Sequence, residues 1–175
     1  MGILNTFRSI VGKEETAAKP AAAPADAAEW VDRRKRTRAN ARPGTRVLIV
    51  DDSPTIVAAL RKILRSAKYE IFEAGDAETG LELMRTSPPE LVFLDIVLPA
   101  MNGFAALRTM RKDPQLVHIP VIMISGNEQA TEQFYANRIG ADDFMKKPFS
   151  RYEVFARIER LLDEQRIPRR LAARA

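Results

Sequence analysis

From Arg46 to about Gln165, short runs of branched apolar residues alternate with amphipathic stretches five times over. This alternation constrains the fold more than any other feature of the chain. The runs are Val47–Val50 (VLIV), Tyr69–Ala74, Leu91–Leu94, Pro120–Ser125 (PVIMIS) and Asp143–Met145. The most apolar of them lack the in-out polarity of a half-solvated strand, so they suit a parallel sheet covered on both faces. Helices fill the intervals. Ser53-Pro54 supplies a capping residue and a first-turn proline, and Ile56, Ala59, Leu60, Ile63 and Leu64 form one stripe. Asp76 caps a second helix with Ala77, Leu81 and Met84, ended by Pro88-Pro89. Asn102–Lys112 is a third, carrying Phe104, Leu107 and Met110, and Asn127 opens a fourth running to about Ile139. Ser150 and Glu153 form a capping box for the fifth, whose buried face is Val154, Phe155, Ile158, Leu161 and Leu162. Strand-then-helix repeats with right-handed crossovers predict an α/β fold: a flavodoxin-like, doubly wound, five-stranded parallel sheet in order 2-1-3-4-5 with five helices.

In such a sheet ligands bind beyond the carboxyl ends of the strands. Asp51 and Asp52 follow the first strand, Asp95 ends the third, Ser125 ends the fourth and Lys147 follows the fifth. Strands one and three are neighbours in this order, so three carboxylates share one pocket. Left alone, one of them would hold its proton. A hard divalent cation removes the conflict, and magnesium favours a few carboxylates, several waters and a phosphate. Lys147 can pair with phosphoryl oxygens, and Ser125 offers them a hydroxyl. Transfer to Asp95 then needs alignment and charge neutralisation more than a protein base. Other chemistries are excluded by composition. There is no cysteine, and His118 is the only histidine, so thiol catalysis, thiolate metal sites, histidine metal clusters and the usual Ser-His-Asp triad are absent. Neither GxGxxG nor a Walker A motif occurs.

With these residues placed, the chain resembles the receiver domain of bacterial two-component response regulators. The matching motifs are Asp51-Asp52 after VLIV, DIVLPAMNG at Asp95–Gly103, Ser125 after PVIMI, and KPF at Lys147–Phe149. The resemblance implies that Asp95 is the phosphoacceptor and that Asp51, Asp52, Asp95 and the Val97 backbone carbonyl serve magnesium. It implies that Ser125 and Lys147 sense the phosphoryl group, that Phe144 is the switch aromatic, and that the Lys147-Pro148 bond is cis. Phe144 lacks the hydroxyl a tyrosine would bring, and it also suits plain core packing. Val97 cannot orient an attacking water through its side chain, although Asn127 can, so slow self-dephosphorylation is expected. A dehalogenase-type phosphatase would need a second aspartate two residues after Asp95, where Val97 stands.

The net charge of +5 belongs to the chain ends, because the middle is acidic. Residues 1–12 place Ile3, Leu4, Phe7, Ile10 and Val11 on one face of an amphipathic helix suited to a membrane surface or a larger assembly. Residues 13–45 read as a disordered Ala/Pro-rich and basic linker, 46–165 as the receiver domain and 166–175 as a basic tail. No apolar run approaches the ~20 residues of a membrane span. The expectation is a cytoplasmic protein, peripheral at the inner membrane if residues 1–12 dock there. Ten residues after Gln165 hold no output domain, so signals are expected to leave by protein contact. The resemblance points to chemotaxis- or twitching-motility-like stand-alone receivers. Their partners are a sensor histidine kinase or phosphotransfer protein, and a downstream protein on the helix 4/strand 5/helix 5 face. No reading helix accompanies the basic runs, so specific DNA binding is not expected. The alternative is a phosphorylation-independent scaffold docked through its N-terminal helix.

Overall fold

A computed structural model describes residues 38–126 and 136–170. The five strands are β1 (Arg46–Val50), β2 (Glu70–Ala74), β3 (Leu91–Asp95), β4 (Val121–Ser125) and β5 (Asp143–Lys146). All pair in parallel, in the order β2-β1-β3-β4-β5. The predicted topology therefore stands. The helices described in full are α1 (Pro54–Arg65), α2 (Ala77–Thr86), α3 (Gly103–Lys112) and α4 (Arg151–Glu159), the last being the fifth of the predicted set. Most of the predicted fourth helix lies outside the described residues; residues 136–138 are helical.

Successive strand residues point to opposite faces, which divides the core in two. Leu48, Val50, Val92, Leu94, Val121, Met123 and Phe144 face Leu81 and Met84 of α2 and Leu107 and Met110 of α3. Val47, Ile49, Leu91, Phe93, Ile122, Ile124 and Met145 face Leu60 and Leu64 of α1 and Val154 and Ile158 of α4. Each large side chain so buried contributes about 1.5–3 kcal/mol. The helix starts follow local chemistry. Asp76 Oδ1 accepts the Thr79 N–H at 2.7 Å, and Asn102 Oδ1 accepts the Ala105 N–H at 2.9 Å. Two expectations need amending. Ser53 occupies the N-cap of α1 without a side-chain cap bond; its own N–H is drawn to Asp51 Oδ1 at 2.9 Å. Ser150 caps the Glu153 N–H at 3.1 Å, but the Glu153 carboxylate turns to Arg157 at 3.2 Å, so only half the capping box is built.

The fold also reaches past residues 46–165. Residues 38–45, read from composition as linker, are held: Arg38 lies 3.8 Å over the Tyr152 ring, the Ala39 N–H reaches Glu159, and the Ala41 N–H donates to Tyr69 Oη at 2.9 Å. Ala41 is buried as a result. On the other side of the chain, Arg169 N–H donates to Leu161 O at 2.7 Å, and the Arg42 N–H meets Arg166 O at 3.2 Å. Arginine-rich composition reads as solvated, yet guanidinium forks and backbone groups find distant acceptors here.

Candidate functional site

β1 and β3 are adjacent, with Val50 registered against Leu94. Asp51 and Asp95 therefore emerge side by side at the carboxyl edge, and both are buried, while Asp52 beside them is exposed. One carboxylate oxygen from each of the three lies within 4.8 Å of the others. Asp51 Oδ1 is engaged by the Ser53 N–H. Lys147, carried past the end of β5, brings Nζ to 2.8 Å from Asp51 Oδ2 and 2.9 Å from Asp95 Oδ2. Asp51 Oδ2 is thus at ion-pair distance without an aligned hydrogen bond, and Asp95 Oδ1 is buried without any hydrogen-bond partner. Buried carboxylate oxygens in that state are able to accept a further cation. An oxygen donor set with an exposed side at Asp52 fits magnesium.

Electrostatics agree with the geometry. Burial pushes the Asp95 carboxyl above the usual range and Asp51 adds to the rise, while Lys147 and the Val97 N–H pull it back; the net is upward. Burial works against the charge on Lys147, but Asp51 and Asp95 outweigh it and raise its pKa.

Ser125 closes β4 fully buried, and its carbonyl accepts the Lys147 N–H at 2.7 Å. The Lys147-Pro148 peptide is cis, as the resemblance implied. Phe144 is buried in the core layer that also holds Ala136 and against which Ile139 packs. Val97, two residues past Asp95, is 67% exposed. Asn127 lies outside the described residues.

Two features gain a physical reason only from the structure. Gly103 is the first residue of α3, and its N–H donates to Ile96 O at 2.9 Å. A Cβ there would sit 2.0 Å from the Asp95 carbonyl oxygen, so this glycine lets α3 close on the strand end that presents Asp95. The second is an open depression of about 280 Å³ beside the acids, lined by Asp51, Asp52, Val57 and Gly75 and edged by the Arg61–Glu73 ion pair, whose Nη2 and Oε2 are 3.0 Å apart.

Comparison with known proteins points the same way. The family model for the response regulator receiver domain matches residues 47–159. Protein PilH of Pseudomonas aeruginosa is 39% identical over 103 residues, covering 59% of this chain and 85% of PilH. The chain spans only about a quarter to a half of other curated relatives, such as the transcriptional regulatory protein PhoP of Bacillus subtilis, 33% identical and 50% covered. Among solved structures, the Vibrio cholerae chemotaxis protein CheY4 superposes with a TM-score of 0.64 at 26% identity, covering 71% of this chain and 100% of CheY4. The receiver domain of the sensor histidine kinase PA1611 from Pseudomonas aeruginosa, solved with magnesium in its active-site cleft, gives 0.61 at 25% identity, covering 67% of this chain and 95% of that one.

Proposed function

The chain belongs to the response regulator receiver domain family, and from that premise we propose that Asp95 accepts a phosphoryl group from a sensor histidine kinase or phosphotransfer protein. The observation that supports this most is the crowding of Asp51, Asp52 and Asp95, with one ammonium shared by Asp51 and Asp95 and a buried Asp95 oxygen left unpartnered. Asp51, Asp52, Asp95 and the Val97 carbonyl would hold magnesium, which supplies charge neutralisation for the phosphoryl oxygens. In the transfer, an Asp95 carboxylate oxygen forms a bond to phosphorus as the donor's N–P bond breaks, and the donor imidazole leaves with the electron pair. Lys147 neutralises the new charge and Ser125 donates its hydroxyl to a phosphoryl oxygen. With a small donor such as acetyl phosphate, acetate is the leaving group and no kinase is needed. Water later cleaves the acyl phosphate.

The signal leaves as a population shift. Ser125 and Phe144 are both buried, and Ser125 engaging phosphate relaxes the packing around Phe144 and reshapes the face formed by residues 136–139, β5 and α4. A downstream protein reads that face. The 85% coverage of PilH and full coverage of CheY4 favour a stand-alone receiver role of the chemotaxis or twitching-motility kind. Among the described residues no helix is long and apolar enough to cross a membrane. We place the protein in the cytoplasm, with residues 1–12 as its contact to the inner membrane or an assembly.

The test is incubation with acetyl phosphate and magnesium followed by intact mass. A gain of ~80 Da, one phosphoryl group, is expected, and it disappears in Asp95→Asn. A wild-type chain that gains nothing is instead a phosphorylation-independent scaffold.

A further inference from the structure

The family match ends at residue 159, yet the chain beyond it is anchored on a buried carboxylate. Asp142 stands immediately before β5, with its side chain 1% exposed. Its Oδ2 accepts the Val121 N–H at 2.9 Å and Arg111 Nη2 at 3.0 Å, and its Oδ1 accepts Arg170 Nε at 3.2 Å. The Asp142 N–H donates in turn to Val121 O at 3.0 Å. Backbone and side chain of one residue thus grip the first residue of β4. Arg170 also donates to Val117 O at 3.0 Å and to Gly140 O at 3.4 Å. Arg111 donates to Gly140 O at 2.8 Å and Ile119 O at 2.9 Å. Two guanidiniums therefore fix both approaches to this strand pair.

The opposite end of the pair carries chemistry. Ser125 is registered against Lys146, and the next residue, Lys147, donates its N–H to the Ser125 carbonyl. β5 has only 4 residues and lies at the sheet edge, so its own ladder is short. A slip of one residue would turn Phe144 out of the core and carry Lys147 away from the acids.

We propose that Arg170 is a positioning residue for the phosphoryl-accepting site, acting through Asp142 on the β4–β5 register that brings Ser125 and Lys147 together. The proposal rests on the phosphoacceptor reading above. Its three acceptors surround one planar fork, a geometry that lysine cannot reproduce.

The experiment compares the full chain with Arg170→Ala and the milder Arg170→Lys. Three quantities are read: amide hydrogen exchange, the rate of Asp95 phosphorylation by acetyl phosphate at saturating magnesium, and magnesium affinity. In Arg170→Ala, amides of residues 143–147 exchange about tenfold faster while β1 and β3 keep their protection. Phosphorylation slows about fivefold, because a misplaced Lys147 no longer meets the phosphoryl oxygens. Magnesium affinity does not weaken, since Asp51 and Asp52 directly follow β1 and Asp95 ends β3, away from the β4–β5 pair. Arg170→Lys falls between. Unchanged exchange at 143–147, or faster exchange spread evenly over all strands, overturns the proposal, as does a rate equal to wild type. The exchange arm needs no phosphate. Local loosening in a chain whose wild type takes no phosphoryl group would therefore strike the phosphoacceptor reading and, with it, only the catalytic half of this one.

Discussion

Lys147 Nζ lies 2.8 Å from Asp51 Oδ2 and at the same time 2.9 Å from Asp95 Oδ2. One ammonium thus occupies the charge-neutralising position between two acids that a divalent cation would also need. A magnesium ion held by these acids would therefore compete with the lysine for Asp51. Replacing Lys147 with Ala is expected to tighten magnesium binding about tenfold, equivalent to ~1.4 kcal/mol, while slowing phosphorylation of Asp95. Titration calorimetry of the two chains checks the first part. Equal magnesium affinities would mean that the ion pair does not oppose the metal.

Gly103 and Gly75 make a matched pair of substitutions near the same pocket. A Cβ on Gly103 meets the Asp95 carbonyl oxygen at 2.0 Å, whereas one on Gly75 meets nothing within 4 Å. Gly103→Ala should therefore cost about 1–3 kcal/mol by overpacking and slow phosphorylation by moving the end of β3. Gly75→Ala should change stability by less than about 0.5 kcal/mol. Urea unfolding of both variants decides this, and equal midpoints would count against the close approach of α3.

The sheet order and the acid pocket were legible because their signals are local. Val47–Val50 and Leu91–Leu94 read as strands from consecutive residues, and Asp51 and Asp95 follow from where those strands end. Arg111, Asp142 and Arg170 were not legible. They meet across residues far apart in sequence, and nothing in their neighbourhoods marks Asp142 as buried while the adjacent Asp143 pairs with Arg157 and Arg160. Gly103 was visible in the DIVLPAMNG motif, but its reason was not, since the atom it must avoid is the carbonyl of Asp95 itself. Arg38–Thr45 was misread because composition reports average solvation and not a particular stacking on Tyr152.

Asp95 yields a pH prediction. Its carboxyl is raised chiefly by burial, with Asp51 adding and Lys147 opposing. An acid with a raised folded pKa binds its proton more tightly when folded. Its stabilising contribution is then full below the unfolded value and lost as pH rises through the folded pKa. Metal binding reverses the preference by favouring the ionised form. Carbon-detected NMR without magnesium should find Asp95 titrating above the ordinary carboxylate value of ~3.9, and adding magnesium should lower the midpoint. Thermal stabilisation by magnesium should accordingly be larger at neutral pH than near pH ~4. A metal-free midpoint at or below the ordinary value would contradict the burial argument.

Val97 is expected to govern the lifetime of the acyl phosphate. Its side chain stands two residues past Asp95 and is 67% exposed, so it is in contact with the solvent from which any hydrolytic water must come. An isopropyl group offers that water neither donor nor acceptor, and it leaves the approach to phosphorus unorganised. An amide in the same place can hold a water by hydrogen bonding and convert a random encounter into an aligned one. Val97→Asn should therefore shorten the acyl-phosphate lifetime about three- to tenfold. Because the residue is exposed, the change should leave stability within about 0.5 kcal/mol. The measurement is decay of the phosphorylated mass species after the donor is removed, alongside Val97→Thr as a shape-matched control. If Asn decays no faster than Val, water alignment at this position does not govern dephosphorylation, and the slow step lies with groups other than the residue at 97.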